Sequence, residues 1–579
     1  MKDNLVKYNI VQADEAWFKE NINCQNACPV NTPASNYIER LQEGDYDGAL
    51  KLNFMANLFP HILGRVCTHP CESACRRGKI DEPIAICSLK RVAADFANEK
   101  FLKRAPILTK TGKRVAIIGA GPSGLAAGND LALAGHSVTI FEALPMAGGM
   151  LSVGIPPYRL PWNKIESAVN WINELGINLK LNSAINGPEE FDKLANEYDA
   201  VYIAAGAHRS QGLGIPGEDL KGVLHGIVFM KDLNLGKQEK VPTKVAVVGG
   251  GFTAIDCARS SLRLGAREVS IIYRRSLKEM PAGELEVRMA EEEAIKILYL
   301  TSPVRVLGDI NSNVKAIECV KNKLGEPDAS GRRRPEAIPG SEFTLPVDMI
   351  ITAIGQAPDA GFLTKEIGVE FTRWGTVVLD PENFMTSRKG VFAGGDFVTG
   401  PKNVIEVVSD GRKAARAIDQ YLSEGKERKI EYSFMDKEPV RRKPYNYEVM
   451  PRNEQDSLAM DVRWTIDKEV EIGFSRENAF EEAERCLLCH YNIFIDEKKC
   501  VLCGGCIDIC PYGCIMMISR DEIEAEGMHD ETIPDDWDAV MAINEEKCIR
   551  CGLCVKRCPA DAIKMRRFSY TENLVPVGS

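Results

Sequence analysis

Two runs near the end of the chain, CVLCGGCIDICP and CIRCGLCVKRCP, share the spacing C-x-x-C-x-x-C-x-x-x-C-P. Three thiols in one tight loop, with a fourth beside proline, match the bacterial 4Fe-4S ferredoxin run, in which the fourth cysteine ligates the other cluster. Cys500, Cys503, Cys506 and Cys558 are therefore one expected ligand set, and Cys548, Cys551, Cys554 and Cys510 the second. Structural zinc usually spaces its ligand pairs apart, so iron and sulfur are favoured. Segments 497–515 and 545–563 align without a gap, which makes the tail a pseudo-symmetric doublet. Cys514 stands opposite Ala562 in that alignment and reads as core.

The segment CTHPCESACRRGKIDEPIAIC offers Cys67, Cys71, Cys75 and Cys87, four soft ligands suited to a third cluster or to zinc. Cys24 and Cys28 in NCQNACPV are a pair short of two ligands, and so are Cys486 and Cys489 in ERCLLCH. The simplest closure joins these pairs in one split site, which would return ERCLLC to the N-terminal domain and pin the tail against it. Sixteen of the nineteen cysteines then make four 4Fe-4S clusters. Cys257 and Cys319, in the middle of the chain, read as packing. No C-x-x-C occurs between 88 and 485, which argues against a redox-active disulfide beside a flavin.

The middle of the chain carries a different chemistry. GAGPSG at 119–124 follows the strand-like KRVAIIG and opens a helical stretch, and SVTIFE then ends in Glu142. In this arrangement Gly119 permits the tight turn, Gly121 lets the backbone approach a pyrophosphate, Gly124 packs helix on strand, and the acid meets a ribose hydroxyl. A second loop, GGGFTA, places Gly249, Gly251 and Ala254 after TKVAVV. Its following strand runs into Arg274 and Arg275 rather than an acid. Guanidiniums offer a 2′-phosphate charge and bidentate donors, so NADP(H) is preferred there, unless the pair is a solvated strand end. Two dinucleotide sites imply one nicotinamide and one flavin. In VFAGGDFVTGPKNVIEVV, Gly395 ends a strand, Asp396 is set to hold a ribityl hydroxyl of FAD, and a helix from Val404 directs its amides at the flavin.

These sites require several elements to hold them. At 579 residues the chain divides into roughly three to five domains. The expected divisions are a helical iron–sulfur domain at 1–105, the first half of an FAD domain at 106–239, an inserted NADP(H)-binding domain at 240–350 and the second half of the FAD domain at 351–425. A linker at 426–490, wrapping the surface and returning to the N-terminal domain, then leads to a two-cluster ferredoxin domain at 491–579. The fold class is thus multidomain: an α-helical iron–sulfur domain, two Rossmann-like α/β domains and an α+β ferredoxin-like domain. A net charge of −10 without a basic block argues against nucleic acid, and no apolar run has the length of a membrane span. MKDNLVKYNIVQ lacks the apolar core of a signal peptide, so a cytoplasmic location is expected. The acidic DEIEAEGMHDETIPDDWD between the tail repeats is either a solvated loop or a docking surface.

The phrases NLFPHILGRVC, GAGPSG, GGMLSVGIPPYRLP, IPGEDL, YRRS, EMPAGELE and FAGGD give residues 20–425 a family resemblance. This region resembles the small subunit of glutamate synthase, the N-terminal half of dihydropyrimidine dehydrogenase and the large subunit of NADH-dependent ferredoxin:NADP oxidoreductase, a bifurcating transhydrogenase. The resemblance implies FAD- and NADPH-dependent electron transfer, with Gly149 and Arg159 among the cofactor residues. It also implies partners: ferredoxin or other redox subunits, such as an FMN/NADH-dependent subunit, in a hetero-oligomer. Two departures stand out. The family's ERCLxC segment normally lies a few residues before the cysteines matching Cys24 and Cys28, whereas here it lies near the far end; and Phe252 replaces the usual Asn of GGGNTA. The function expected is an oxidoreductase moving electrons between NADP(H), FAD and 4Fe-4S clusters. The alternatives are a glutamate-synthase-type subunit feeding an amidotransferase and a wiring subunit with a vestigial NADP site.

Overall fold

The apolar runs between 113 and 425 form two parallel five-stranded sheets in the computed structural model, which describes residues 8, 13–98, 107–328, 331–372, 376–423, 430–439, 443–444, 447–523 and 538–572. The first sheet has the order Val391–Ala393, Ala200–Ile203, Arg114–Ile118, Ser137–Phe141, Asn178–Lys180. The second has the order Val223–His225, Met349–Thr352, Lys244–Val248, Glu268–Ile272, Lys296–Leu298. Their inner strands are covered on both faces, which is why they read as continuous rather than alternating apolar runs. An antiparallel sheet, with Val314–Pro327 at its centre, lies in the same region of the chain.

The chain leaves the first sheet and returns to it through a short antiparallel pair, Arg209–Ser210 with Gln356–Ala357. The inserted domain therefore begins close to 211 rather than at 240, because Val223–His225 already pairs in the second sheet. Two strands of three residues each were too short to announce which sheet they join.

Residues 105–426 and 456–472 make one compact unit, and residues 1–104, 427–455 and 473–579 make the other. In the latter, helices Ala34–Gln42, Tyr46–Asn57, Pro60–Val66 and Ile86–Phe96 form the N-terminal region. The tail folds as the doublet its repeat implies: helices Gly505–Ile509 and Leu553–Arg557 each start from a left-handed glycine, Gly504 at φ 73° and Gly552 at φ 71°. The strands Ile515–Ser519 and Ala539–Ile543 pair antiparallel. One buried core runs through both ends of the sequence, with Tyr37, Ile38 and Leu89 joined to Tyr491, Ile515 and Met565.

The segment after 426 is more than a surface linker. Ile430–Asp436 is an edge strand paired with Ile563–Glu572, which also pairs with Tyr491–Ile495. Tyr447 is buried, and residues 456–472 belong to the nucleotide-binding unit. The charged KERK and some of RRKPYN lie outside the described residues, as does most of the acidic stretch between the tail repeats.

Candidate functional site

The first glycine loop turns between strand Arg114–Ile118 and helix Pro122–Leu133. Gly119 has φ 105°, and a Cβ there would stand 2.4 Å from the Ala204 carbonyl oxygen. A Cβ at Gly124 would stand 2.0 Å from the Gly119 carbonyl oxygen, so helix and strand meet at a distance only glycine allows. Gly121 has open space before it and faces Gly149, whose φ is 55°. Glu142 closes the loop: its carboxylate accepts the amides of Ala120 at 2.7 Å and Leu144 at 2.8 Å. Burial nevertheless pushes its pKa up. Its first task is thus to hold the loop, with its outer lone pairs left for a ribose hydroxyl.

The flavin half is completed by Gly395, at φ 63°, and by helix Val404–Leu422, capped by reciprocal bonds between Asn403 and Glu406. The helix packs on the glycine-loop helix so closely that a Cβ at Gly411 would stand 2.2 Å from the Ser123 carbonyl oxygen. Asp396 accepts the Lys402 amide at 2.8 Å. Burial, reinforced by the Asp410 carboxylate against that amide, raises it to about 6.

The second loop repeats the first, with Gly249 at φ 150°, Gly251 facing open space and Ala254 fully buried under the helix. Its two arginines separate. Arg274 is exposed at the strand end, whereas Arg275 is 4% exposed, pairs with Asp328 at 2.7 Å and donates to the Arg333 carbonyl at 2.7 Å. Only the first is open to solvent, a correction to the paired reading: both follow the end of strand Glu268–Ile272, and the ion pair with Asp328 draws Arg275 inward. Arg159 also differs from the cofactor role expected of it. Its guanidinium pairs with Asp256 at 3.0 Å and with Glu286, and lies over the Phe252 ring at 5.0 Å. Phe252, the departure from the family pattern, is therefore a stacking partner for an arginine that joins the two nucleotide domains.

In the tail, one recess is lined by Cys500, Cys503, Cys506 and Cys558. A second is lined by Cys510, Cys548, Cys551 and Cys554, and also by Cys514, which the sequence assigned to core packing. Cys257 and Cys319 are fully buried and border neither recess.

The N-terminal cysteines are grouped differently from their order in the chain. A third recess is lined by Cys24, Cys75, Cys486 and Cys489. Cys75 therefore takes the place expected for Cys28 in the split site. Cys28 does not line that recess; beyond the effect of burial, its charge instead raises the pKa of Cys67 and Cys71, as those two raise that of Cys87. Cys24 sits within the turn Asn23–Asn26, whereas Cys28 lies past its C-cap Ala27, so the helical spacing that would put the two thiols on one face does not reach Cys28. Burial and neighbouring thiols push Cys24, Cys71 and Cys87 up, and Cys486 to about 12. Thiolates so crowded are stable only around a cationic centre, so the donor set fits iron–sulfur clusters.

Buried arginines that spacing does not announce bring ERCLLC to this place. Arg485, fully buried, donates to Asp81 at 3.0 Å, Glu482 at 2.8 Å, and the carbonyls of Glu82 at 2.8 Å and Met450 at 3.0 Å. Arg77 grips Asp81 through two 2.6 Å bonds and donates to the Tyr447 carbonyl at 2.8 Å. Glu39 accepts from Tyr491 at 2.5 Å and pairs with Arg567 at 2.9 Å. Lys90 lies buried beside Cys67, Cys71 and Cys87, where its charge favours their thiolates.

Two glycine-loop sheets joined through a short strand pair define a flavoprotein reductase of the two-dinucleotide-domain class. Residues 113–415 match the pyridine nucleotide-disulphide oxidoreductase family, and the chain belongs to it. Residues 7–102 match dihydropyrimidine dehydrogenase domain II, a 4Fe-4S domain, and residues 499–562 match a 4Fe-4S dicluster domain. The chain is 42% identical over 501 residues to the NADP(+)-dependent formate dehydrogenase subunit beta of Moorella thermoacetica, covering 81% of this chain and 70% of that one. It is 41% identical over 509 residues to the NADPH-Fe(3+) oxidoreductase subunit beta of Geobacter sulfurreducens, covering 81% and 75%. With the glutamate synthase [NADPH] small chain of Escherichia coli it shares 34% over 429 residues, covering 71% and 91%. FAD, NADP(H) and 4Fe-4S clusters are the cofactors of this architecture. Among the described residues no helix is long and apolar enough to cross a membrane.

Proposed function

We propose that this chain is the NADP(H)-reactive electron-transfer subunit of a larger redox enzyme and holds four 4Fe-4S clusters. The observation that supports the reading is three cysteine-lined recesses within one unit, one with Cys24, Cys75, Cys486 and Cys489 and two with the tail sets, which leaves Cys28, Cys67, Cys71 and Cys87 for a fourth cluster. When bound, FAD exchanges an electron pair with the nicotinamide and single electrons with the clusters.

The chain's own residues bind and orient. Gly121 leaves space for the FAD pyrophosphate, Gly119 and Gly124 allow the tight turn and close packing behind it, and Glu142 fixes the turn that presents it. Gly249 and Gly251 do the same for NADP(H), and exposed Arg274 meets the 2′-phosphate. Arg159, held by Asp256 and Glu286, keeps the two nucleotide domains in register. Cys503 is the exposed ligand of the tail, which makes its cluster the natural outlet toward a partner. The relatives named as beta subunits support a partner protein, which on this reading is ferredoxin or a catalytic redox subunit and meets the chain in the cytoplasm. They also favour this reading over the amidotransferase one, since both extend over 81% of the chain, against 71% for the glutamate synthase small chain.

The test is an anaerobic titration of the purified chain with NADPH and NADH, followed at the flavin band. Bleaching by NADPH in preference to NADH, with electrons appearing in a one-electron acceptor, is expected. A flavin that neither nucleotide reduces would overturn the proposal and leave a wiring subunit.

A further inference from the structure

The two halves of the tail are near copies, so a side chain that differs at an equivalent place makes the two cluster sites chemically unequal. The loops Cys510-Pro-Tyr-Gly-Cys514 and Cys558-Pro-Ala-Asp-Ala562 have the same shape. Gly513 and Asp561 both have positive φ, 55° and 51°. The Cys514 amide donates to Cys510 Sγ at 3.4 Å, as the Ala562 amide does to Cys558 Sγ at 3.3 Å. What differs is the side chain these equal backbones present. Cys514 Sγ lies 3.2 Å from Cys510 Sγ, and with Cys548, Cys551 and Cys554 beside them five thiols line a recess that needs four. Ala562, buried at the matching place, carries no donor.

We propose that the Cys514 thiol donates an S–H···S hydrogen bond to the ligand sulfur of Cys510, raising the reduction potential of the cluster that Cys510 ligates. The inference rests on the assignment of Cys510, Cys548, Cys551 and Cys554 as one ligand set. A cluster that gains one electron from a reductant carries an extra negative charge spread over its sulfurs. A donor aimed at those sulfurs stabilises the reduced state, and no bond is made or broken. At the matching place in the twin site only the Ala562 amide meets the ligand sulfur among the described residues. Cys514 acts on the redox centre through the sulfurs that bind it and is a positioning residue.

The experiment uses the full chain, prepared anaerobically and titrated with dithionite while the reduced clusters are followed by electron paramagnetic resonance. Three variants are compared with wild type: Cys514→Ala, Cys514→Ser and Ala562→Cys. Expected are unchanged iron content in Cys514→Ala and a fall in one midpoint potential, partly restored by serine, whose hydroxyl also donates. Ala562→Cys should raise a different midpoint. Unchanged midpoints in Cys514→Ala at unchanged iron would overturn the proposal, and so would a rise. A fall in iron in that variant would make Cys514 a ligand and overturn it as well. Failure of the underlying assignment reads differently: Cys548→Ala would then keep full iron.

Discussion

The grouping of the N-terminal cysteines can be counted in iron. Order along the chain pairs Cys28 with Cys24, Cys486 and Cys489; the structure puts Cys75 there instead. If each cluster is lost when one ligand is removed, the wild type holds about sixteen irons, and every single cysteine variant about twelve, at four per cluster. Single variants therefore cannot separate the two groupings, but double variants can. Cys75→Ala with Cys486→Ala removes two ligands of one cluster and should leave about twelve irons. Cys28→Ala with Cys486→Ala removes one ligand from each of two clusters and should leave about eight. The chain-order grouping predicts the reverse. The assay is iron and acid-labile sulfide per chain, with FAD per chain as the folding control, because the flavin residues lie in the other unit. The reverse pattern at undiminished FAD would refute the grouping read from the third recess.

Other outcomes follow from buried charge. Arg485→Met leaves buried Glu482 without a guanidinium and Asp81 with Arg77 alone, and should destabilise its unit by about 3–5 kcal/mol. Iron should fall by about four as ERCLLC loses its anchor; a variant with full iron and unchanged melting would contradict this anchoring. Arg274→Ala should raise KM for NADPH and leave that for NADH unchanged, whereas Arg275→Ala, by removing its ion pair with Asp328, should lower Tm instead. Steady-state kinetics and melting curves on both variants separate these roles. Glu293 is pushed up by burial, but hydrogen bonds from Arg263 and Arg259 outweigh that and hold it at about 2, below its ordinary 4.5. A depressed carboxyl adds stability above its unfolded value and loses it as pH falls toward the folded one, on the order of 3 kcal/mol between pH 4.5 and 2. Glu293→Gln should flatten melting against pH in that window, and an unchanged slope would remove the carboxylate from the account.

What could be read without coordinates was what neighbouring residues decide among themselves. The ferredoxin loops keep their ligands within a few residues, so C-x-x-C-x-x-C-x-x-x-C-P contains its own geometry, down to the left-handed Gly504 and Gly552. The glycine loops are local in the same sense, since strand, turn and helix follow in one stretch. Tertiary structure decided wherever a side chain's role depends on what comes back from far along the chain. Cys75 rather than Cys28 lines the recess with Cys486 because the helical turn that carries Cys24 ends before Cys28, which spacing alone does not disclose. Arg275 turned out to be an internal ion pair because its partner, Asp328, lies just past a strand of a separate sheet. Cys514 looked like core by alignment with an alanine, and only packing brings its sulfur against a ligand of the second tail site. The deepest anchors of ERCLLC, Arg485 on Asp81 and Tyr491 on Glu39, join residues about four hundred positions apart or more. Closing such a distance costs chain entropy that grows only slowly with length, so a handful of buried, mutually satisfied charges suffices to hold it.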